Sequence, residues 1–178
     1  MILSAKQKDV LTWIVIGVAV SLVVLTGCVM INPFRYYDDM SLESRLAVLS
    51  SSILVISFFL CISIGRLAKY RLFNPDDIDG STLAGGSDRA RMLQAMLQNT
   101  LEQTVLAILV YSFWVFEMHS SWLTAVPASA LLFCVGRMLF FLGYHRGTAA
   151  RSLGFCLTFY PTGILLFFCL IQLALKLF

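Results

Sequence analysis

Apolar residues run along this chain in five long stretches, each close to the 20 or so residues that a helix needs to cross a bilayer. They cover residues 10–32, 46–65, 92–116, 122–144 and 153–175, and only Glu102 and Arg137 place a charge inside them. Strands of a membrane barrel would be shorter and would alternate apolar and polar positions, which these stretches do not. The pattern therefore predicts an all-α integral membrane bundle with five spans.

The composition agrees with a membrane protein and argues against other classes. Of the 178 residues, 59% are hydrophobic and 13% are charged, and the mean hydropathy is +0.85. A soluble domain has roughly 45–50% apolar and about 25% charged residues. The net charge of +3 is too small to indicate nucleic acid binding. The five cysteines form no CxxC pair and no Cys/His spacing typical of zinc, so we predict no metal site.

Lysines and arginines predict the orientation in the membrane. With five spans, the N-terminus and the loops 66–91 and 145–151 share one side, and ten of the thirteen basic residues lie at that side, counting Arg137 just inside the bilayer. The other side holds Arg35, Arg45 and Lys176. Because basic loops stay in the cytoplasm, we expect a cytoplasmic N-terminus. The chain is compact and carries no eukaryotic sorting signal, so we expect a bacterial inner membrane.

The third span carries polar residues at steps of three and four, which places them on one helix face: Arg91, Gln94, Gln98, Asn99 and Glu102. A carboxylate is costly in lipid and must face protein or water, which makes Glu102 a functional candidate. Two interpretations are open. One is a buried Glu102–Arg137 ion pair with the amides hydrogen-bonding between helices. The other is the polar wall of a ligand pocket, and periodicity does not decide between them.

A second polar group belongs to the last two spans, near their cytoplasmic ends. Arg137 and Tyr144 are seven residues apart and therefore share a face of the fourth helix. Arg151 and Ser152 open the fifth helix. An arginine beside the positive end of a helix favours an anion, so this end of the bundle is a candidate anion site.

At these residues the chain resembles the MAPEG superfamily, the membrane-associated proteins of eicosanoid and glutathione metabolism. The resemblance covers residues 46 to 178 and rests on motifs in the expected order. They are Asn99-x-x-Glu102, Arg137-x6-Tyr144, Arg151-Ser152 fourteen residues after Arg137, and a loop with Arg66 and Phe73-Asn74-Pro75-Asp76-Asp77. Residues 1–45 then form an extra N-terminal span and outer loop before a four-helix domain, an arrangement similar to the five-helix mattrin-like branch.

The resemblance implies a homotrimer that binds glutathione between subunits near the cytoplasmic face. Carried over by position, Arg66, Asn99 and Glu102 bind the peptide part of glutathione. Arg137 and Tyr144 shape and close the pocket. Arg151 and Ser152 lie beside the sulfur, and Asp77 approaches Arg151 from the loop.

Two functions follow as expectations. The first is a glutathione-dependent transferase or peroxidase that acts on lipophilic electrophiles reaching the pocket from the bilayer. The second is a non-catalytic membrane scaffold or lipid-binding protein with the same fold. It is motivated by three departures from the family pattern: Ala95 in place of an arginine, Phe140 in place of a tyrosine or histidine, and Phe155 in place of a tyrosine.

Overall fold

Five long helices make up the protein in a computed structural model that describes residues 4–37, 40–80 and 86–177. They are α1 (Ala5–Ile31), α2 (Leu42–Leu72), α3 (Asp88–Glu117), α4 (Ala125–Gly143) and α5 (Thr148–Leu177). Short 3-10 turns at Pro75–Asp77, Ser120–Thr124 and Tyr144–Arg146 connect or extend them. The described ranges contain no strand, and the prediction of an all-α bundle is confirmed.

Four of these helices are long and apolar enough to cross a membrane: α1, α2, α5, and α4 together with its flanking turns. This confirms an integral membrane protein. The third predicted span, in α3, does not meet the same hydropathy criterion. Its 30 residues measure about 45 Å at 1.5 Å per residue, long enough to cross. The polar residues on α3 lower its mean hydropathy, while its length lies against α2 and α5 within the bundle.

Successive helices run in opposite directions. At one end, the start of α1 meets the start of α5, because Val10 and Ile14 share a cavity with Thr148. At the opposite end, Thr124 before α4 donates to the Cys28 carbonyl at the end of α1, over 3.1 Å. The starts of α1, α3 and α5 therefore lie at the same end of the bundle as the ends of α2 and α4.

Apolar packing is unequal at the two ends. A large buried cluster joins the end of α3 to the start of α4, with Tyr111, Val115 and Leu123 fully enclosed. The cluster at the other end is small and consists of Leu67, Leu93, Met96 and Phe140 with a few half-buried neighbours. Polar side chains and open space occupy the remainder of that end.

Glycines set the close approach of α4 to α5. A Cβ added to Gly136 would lie 2.7 Å from the Gly154 carbonyl oxygen and 2.7 Å from Thr158 Cγ2. A Cβ on Gly154 would in turn collide with the backbone of Phe140. A Cβ on Gly163, further along α5, would meet nothing within 4 Å. Small residues at the crossing let the two backbones pack directly, as in other membrane helix pairs.

Candidate functional site

A cavity of about 350 Å³ opens at the loosely packed end of the bundle, between the start of α1, α3, and the α4–α5 connection. We call it the candidate cavity. Four of the eight predicted site residues line it: Asn99, Tyr144, Arg151 and Ser152. One residue of the polar face of α3, Asn99, is therefore brought together with three residues of the polar group at the cytoplasmic ends of the last two spans.

Arg151 places a positive charge at the N-terminus of α5. It lies in the first turn of α5, and its guanidinium carbon is 4.5 Å from the centroid of the Tyr144 ring. Within the described residues the Arg151 guanidinium has no carboxylate partner. Free backbone amides of the first helical turn carry partial positive charge. Guanidinium and helix start thus favour an anion in the candidate cavity.

The Ser152 hydroxyl does not donate a hydrogen bond into the candidate cavity. Its hydroxyl donates to the Thr148 carbonyl over 2.7 Å, so the hydrogen is already engaged inside the helix. The hydroxyl oxygen retains lone pairs but offers no second hydrogen. Stabilisation of an anion at this point therefore comes from Arg151.

Arg137 is buried completely, with 0% of its surface exposed, and ties three helices together. One guanidinium nitrogen donates to Asn99 Oδ1 over 2.9 Å and to Thr100 Oγ1 over 3.3 Å. The other donates to Thr158 Oγ1 over 2.6 Å. Arginine can only donate, so it holds the Asn99 amide with its oxygen towards α4. The Asn99 NH₂ group remains able to donate hydrogen bonds into the candidate cavity, which Asn99 lines.

The Glu102–Arg137 ion pair considered from spacing does not form. Glu102 is exposed on the outer side of α3, where Oε1 accepts from Gln98 Nε2 over 2.9 Å. The polar face predicted for α3 is therefore split: Asn99 points into the bundle, and Gln98 and Glu102 point out of it. A carboxylate in that outward position faces lipid unless another chain covers it.

Arg66 and Asp77 also lie apart from the candidate cavity within one chain. The Arg66 guanidinium carbon is 5.2 Å from the centroid of the Phe141 ring, and neither Arg66 nor Asp77 is among the lining residues. The Asp77 carboxylate accepts from the Ser87 hydroxyl (2.7 Å) and the Ser87 backbone N–H (2.8 Å). These hydrogen bonds hold the pKa of the Asp77 carboxyl below its usual value. Asp77 thereby fastens the loop to the start of α3.

Comparison with known protein families gives one match. The sequence model of the MAPEG family matches residues 46–171. The chain belongs to the MAPEG family. Membership indicates a membrane function connected with glutathione in general. None of the curated proteins or solved structures compared with the chain matches it.

In this MAPEG protein, the three departures from the family pattern all lie in the candidate cavity itself. Ala95, Phe140 and Phe155 line it together with Asn99 and Arg151. They give this part of the cavity an apolar lining, beside the Arg151 cation and the Asn99 amide.

Sequence reasoning missed several residues of the site in this MAPEG protein. Val10 and Ile14 come from α1, which precedes the family match and shows no polar face beyond its charged first turn. Thr158, which anchors Arg137, is seven residues after Arg151 on the same face of α5. That spacing was a usable signal for Thr158. No comparable signal marked the two α1 residues.

Proposed function

We propose that this protein binds glutathione as the thiolate in the candidate cavity and transfers it to lipophilic electrophiles. The observation that carries the proposal is Arg151, a cation without a described carboxylate partner, placed at the start of α5 and facing the cavity. A free cysteine thiol has a pKa of about 8.5, so most of it is protonated at neutral pH. A neighbouring cation and a helix N-terminus favour the thiolate, which is the reactive form.

The chemistry balances without a metal. In a transfer, the thiol releases its proton to water, sulfur bonds to the electrophilic carbon, and the leaving group departs with its electron pair. In a peroxidase reaction, two glutathiones and one lipid hydroperoxide give glutathione disulfide, the alcohol and water. The O–O bond breaks and the two thiols supply the electrons. The protein contributes orientation and charge.

The peptide part of glutathione is assigned to Asn99 and Tyr144. The Asn99 NH₂ group can donate to a carboxylate or carbonyl oxygen, and Arg137 keeps the amide in that orientation. Arg137 is therefore a positioning residue rather than a direct ligand. Like Arg151, it has no carboxylate partner among the described residues. An anionic ligand in the candidate cavity would lie against the half-buried Arg151 and near the buried Arg137, and would offset part of the cost of burying Arg137.

We assign Arg66, Glu102 and Asp77 to the subunit interface of a homotrimer. The support is the exposed Glu102, which a neighbouring subunit would remove from lipid. Within one chain Asp77 is buried and its carboxylate accepts from Ser87, so a contact with the Arg151 of a neighbouring subunit would have to share or replace these hydrogen bonds. At 350 Å³ the single-chain cavity is at the small end of ligand sites, consistent with a pocket that a second chain completes.

We place the site end of the bundle in the cytoplasm of a bacterial cell, with the remainder of the chain in the inner membrane. Lys6, Arg66, Arg91 and Arg151 all belong to that end, as the positive-inside rule requires. A lipophilic electrophile would then enter from the bilayer, while glutathione enters from the cytoplasm.

Calorimetric titration of glutathione into the detergent-purified protein tests the proposal. Arg151→Ala should weaken binding about 10- to 150-fold, the equivalent of about 1.5–3 kcal/mol for a hydrogen bond to a charged group. The matched control is Arg146→Ala, since Arg146 is exposed in the same connection and does not line the candidate cavity.

Consumption of glutathione with chlorodinitrobenzene should be slower in Arg151→Ala than in the wild type, and Arg146→Ala should match the wild type. Absence of binding by the wild type at millimolar glutathione would reject the enzyme and favour a non-catalytic scaffold or lipid-binding protein.

A further inference from the structure

The candidate cavity has one wall that does not come from the MAPEG domain. Val10 and Ile14 of α1 line it, and α1 ends before the family match begins at residue 46. These two aliphatic side chains face a cavity whose opposite side carries Asn99, Tyr144 and Arg151. The wall is therefore a feature of this chain and not of the shared fold.

The fixed points of α1 all lie beyond that wall. Gly17, Ser21 and Leu25 are its buried residues, and Gly17 packs so closely on Cys156 that a Cβ would collide with it. At the far end, the Cys28 carbonyl accepts from Thr124. Between residues 4 and 16 no α1 residue is buried. The first turns of α1 thus lie over the candidate cavity without being packed into the bundle.

A second cavity, of about 430 Å³, lies beside the same turns. We call it the outer cavity. Lys6, Gln7 and Leu11 line it, and it shares Val10, Ile14 and Thr148 with the candidate cavity. Val10 and Ile14 are therefore side chains of α1 that border both cavities, and we call them the partition.

We propose that this partition limits the size of the lipophilic substrate. The inference rests on the proposed function, because it assigns the apolar side of the glutathione site. An electrophile with its reactive carbon beside Arg151 would direct its apolar chain towards α1, past Phe155. Val10 and Ile14 then stop a long chain and admit a short one, and their removal joins the two cavities.

Linear 2-alkenals of increasing chain length provide the first test. In this reaction the glutathione sulfur bonds to the β-carbon, the carbon–carbon π bond breaks, and the thiol proton ends on the α-carbon. The double variant Val10→Ala/Ile14→Ala should raise kcat/KM for long alkenals about tenfold relative to short ones, as expected for methylene groups admitted to an apolar pocket. Ile14→Trp should shift the preference towards shorter chains.

The matched control is Val15→Ala/Ile16→Ala, which removes the same groups from the same part of α1. Val15 is 62% exposed and Ile16 is 38% exposed, and neither lines either cavity. An identical chain-length profile for the two double variants would overturn the partition. Glutathione binding measured in parallel would still decide the proposed function by itself.

Cys156 gives a readout that needs no glutathione. It lines the candidate cavity and is otherwise buried. Alkylation of this one residue can be followed by peptide mass spectrometry. A bulky N-alkylmaleimide should modify Cys156 severalfold faster in Val10→Ala/Ile14→Ala than in the control, while N-ethylmaleimide should show a smaller difference. Equal rates for the bulky reagent would overturn the proposal even if the wild type bound no glutathione.

Discussion

The close crossing of α4 and α5 is the feature on which the geometry of the site depends, and Gly136→Ala tests it. The added Cβ would lie 2.7 Å from the Gly154 carbonyl oxygen and 2.7 Å from Thr158 Cγ2. Ordinary contact begins at 3.4 Å, so the helices must separate by about 0.7 Å. Overpacking of this kind costs about 1–3 kcal/mol. The same separation would lengthen the 2.6 Å bond from Arg137 to Thr158.

A weakened hydrogen bond to a buried guanidinium adds about 1 kcal/mol to that cost, and the better helix propensity of alanine offsets about 1 kcal/mol, so we expect a net loss of about 1–3 kcal/mol of unfolding free energy. The assay is unfolding by SDS in mixed micelles, followed by circular dichroism. Gly163→Ala is the control on α5, because its Cβ would meet nothing within 4 Å and alanine favours a helix by about 1 kcal/mol. If Gly136→Ala were as stable as Gly163→Ala, the account of the α4–α5 crossing would be refuted.

Three further predictions concern the site and its supports. Asn99→Asp should keep the hydrogen bond that Arg137 donates to the side-chain oxygen, and with it the fold. Its affinity for glutathione, measured by calorimetry, should fall at least tenfold, because a carboxylate oxygen that only accepts replaces the NH₂ donor. Ser87→Ala should raise the pKa of the Asp77 carboxyl, because the hydroxyl that lowers it most is removed. A carboxyl whose pKa is lowered in the folded state adds stability above its usual pKa of 3.8, and that stability is lost as the pH falls. Proteolysis of residues 74–87 should therefore be faster near neutral pH in the variant than in the wild type, and the wild type should become sensitive only in acid. Arg45→Ala should lower the unfolding free energy by about 1.5–3 kcal/mol in SDS titration, because Arg45 donates to the Val115 and Met118 carbonyls at the end of α3, whereas exposed Arg35→Ala should not.

The membrane spans could be predicted from the sequence because a span is recognised by a single local feature, a long run of apolar residues. All five predicted stretches lie in helices, although the fourth begins in a 3-10 turn at Ser120–Thr124. A small residue in an apolar helix favours close packing of helices, and Gly154 does pack directly on α4. Gly163 has the same sequence context but faces open space. Which glycine meets a neighbour depends on helix rotation, and an all-apolar helix does not encode that rotation locally.

The candidate site was only partly predictable for a similar reason. The spacing of Gln98, Asn99 and Glu102 defines a polar face on α3 but not which edge of that face turns inwards. Adjacent residues differ by about 100° around a helix, so Asn99 points in while Gln98 points out. The partners of Arg137 depend on the register between α4 and α5. That register is set by backbone contacts far apart in sequence.

The contribution of α1 could not be predicted at all. After its charged first turn, its residues are apolar around the whole helix with only scattered hydroxyl groups, which indicates a span but no preferred neighbour. Only the tertiary arrangement shows that Gly17 lies against Cys156 and that Val10 reaches the candidate cavity.

The most direct test of the central claim is the pH titration of thiolate absorbance for glutathione bound to the purified protein. The account predicts that the bound thiol ionises well below the usual thiol pKa of about 8.5, and that Arg151→Ala moves the titration back towards that value. Arg146→Ala should leave it unchanged. Bound glutathione that titrates at the same pH as free glutathione, or that ionises equally in Arg151→Ala, would contradict the role of the α5 helix start and its arginine.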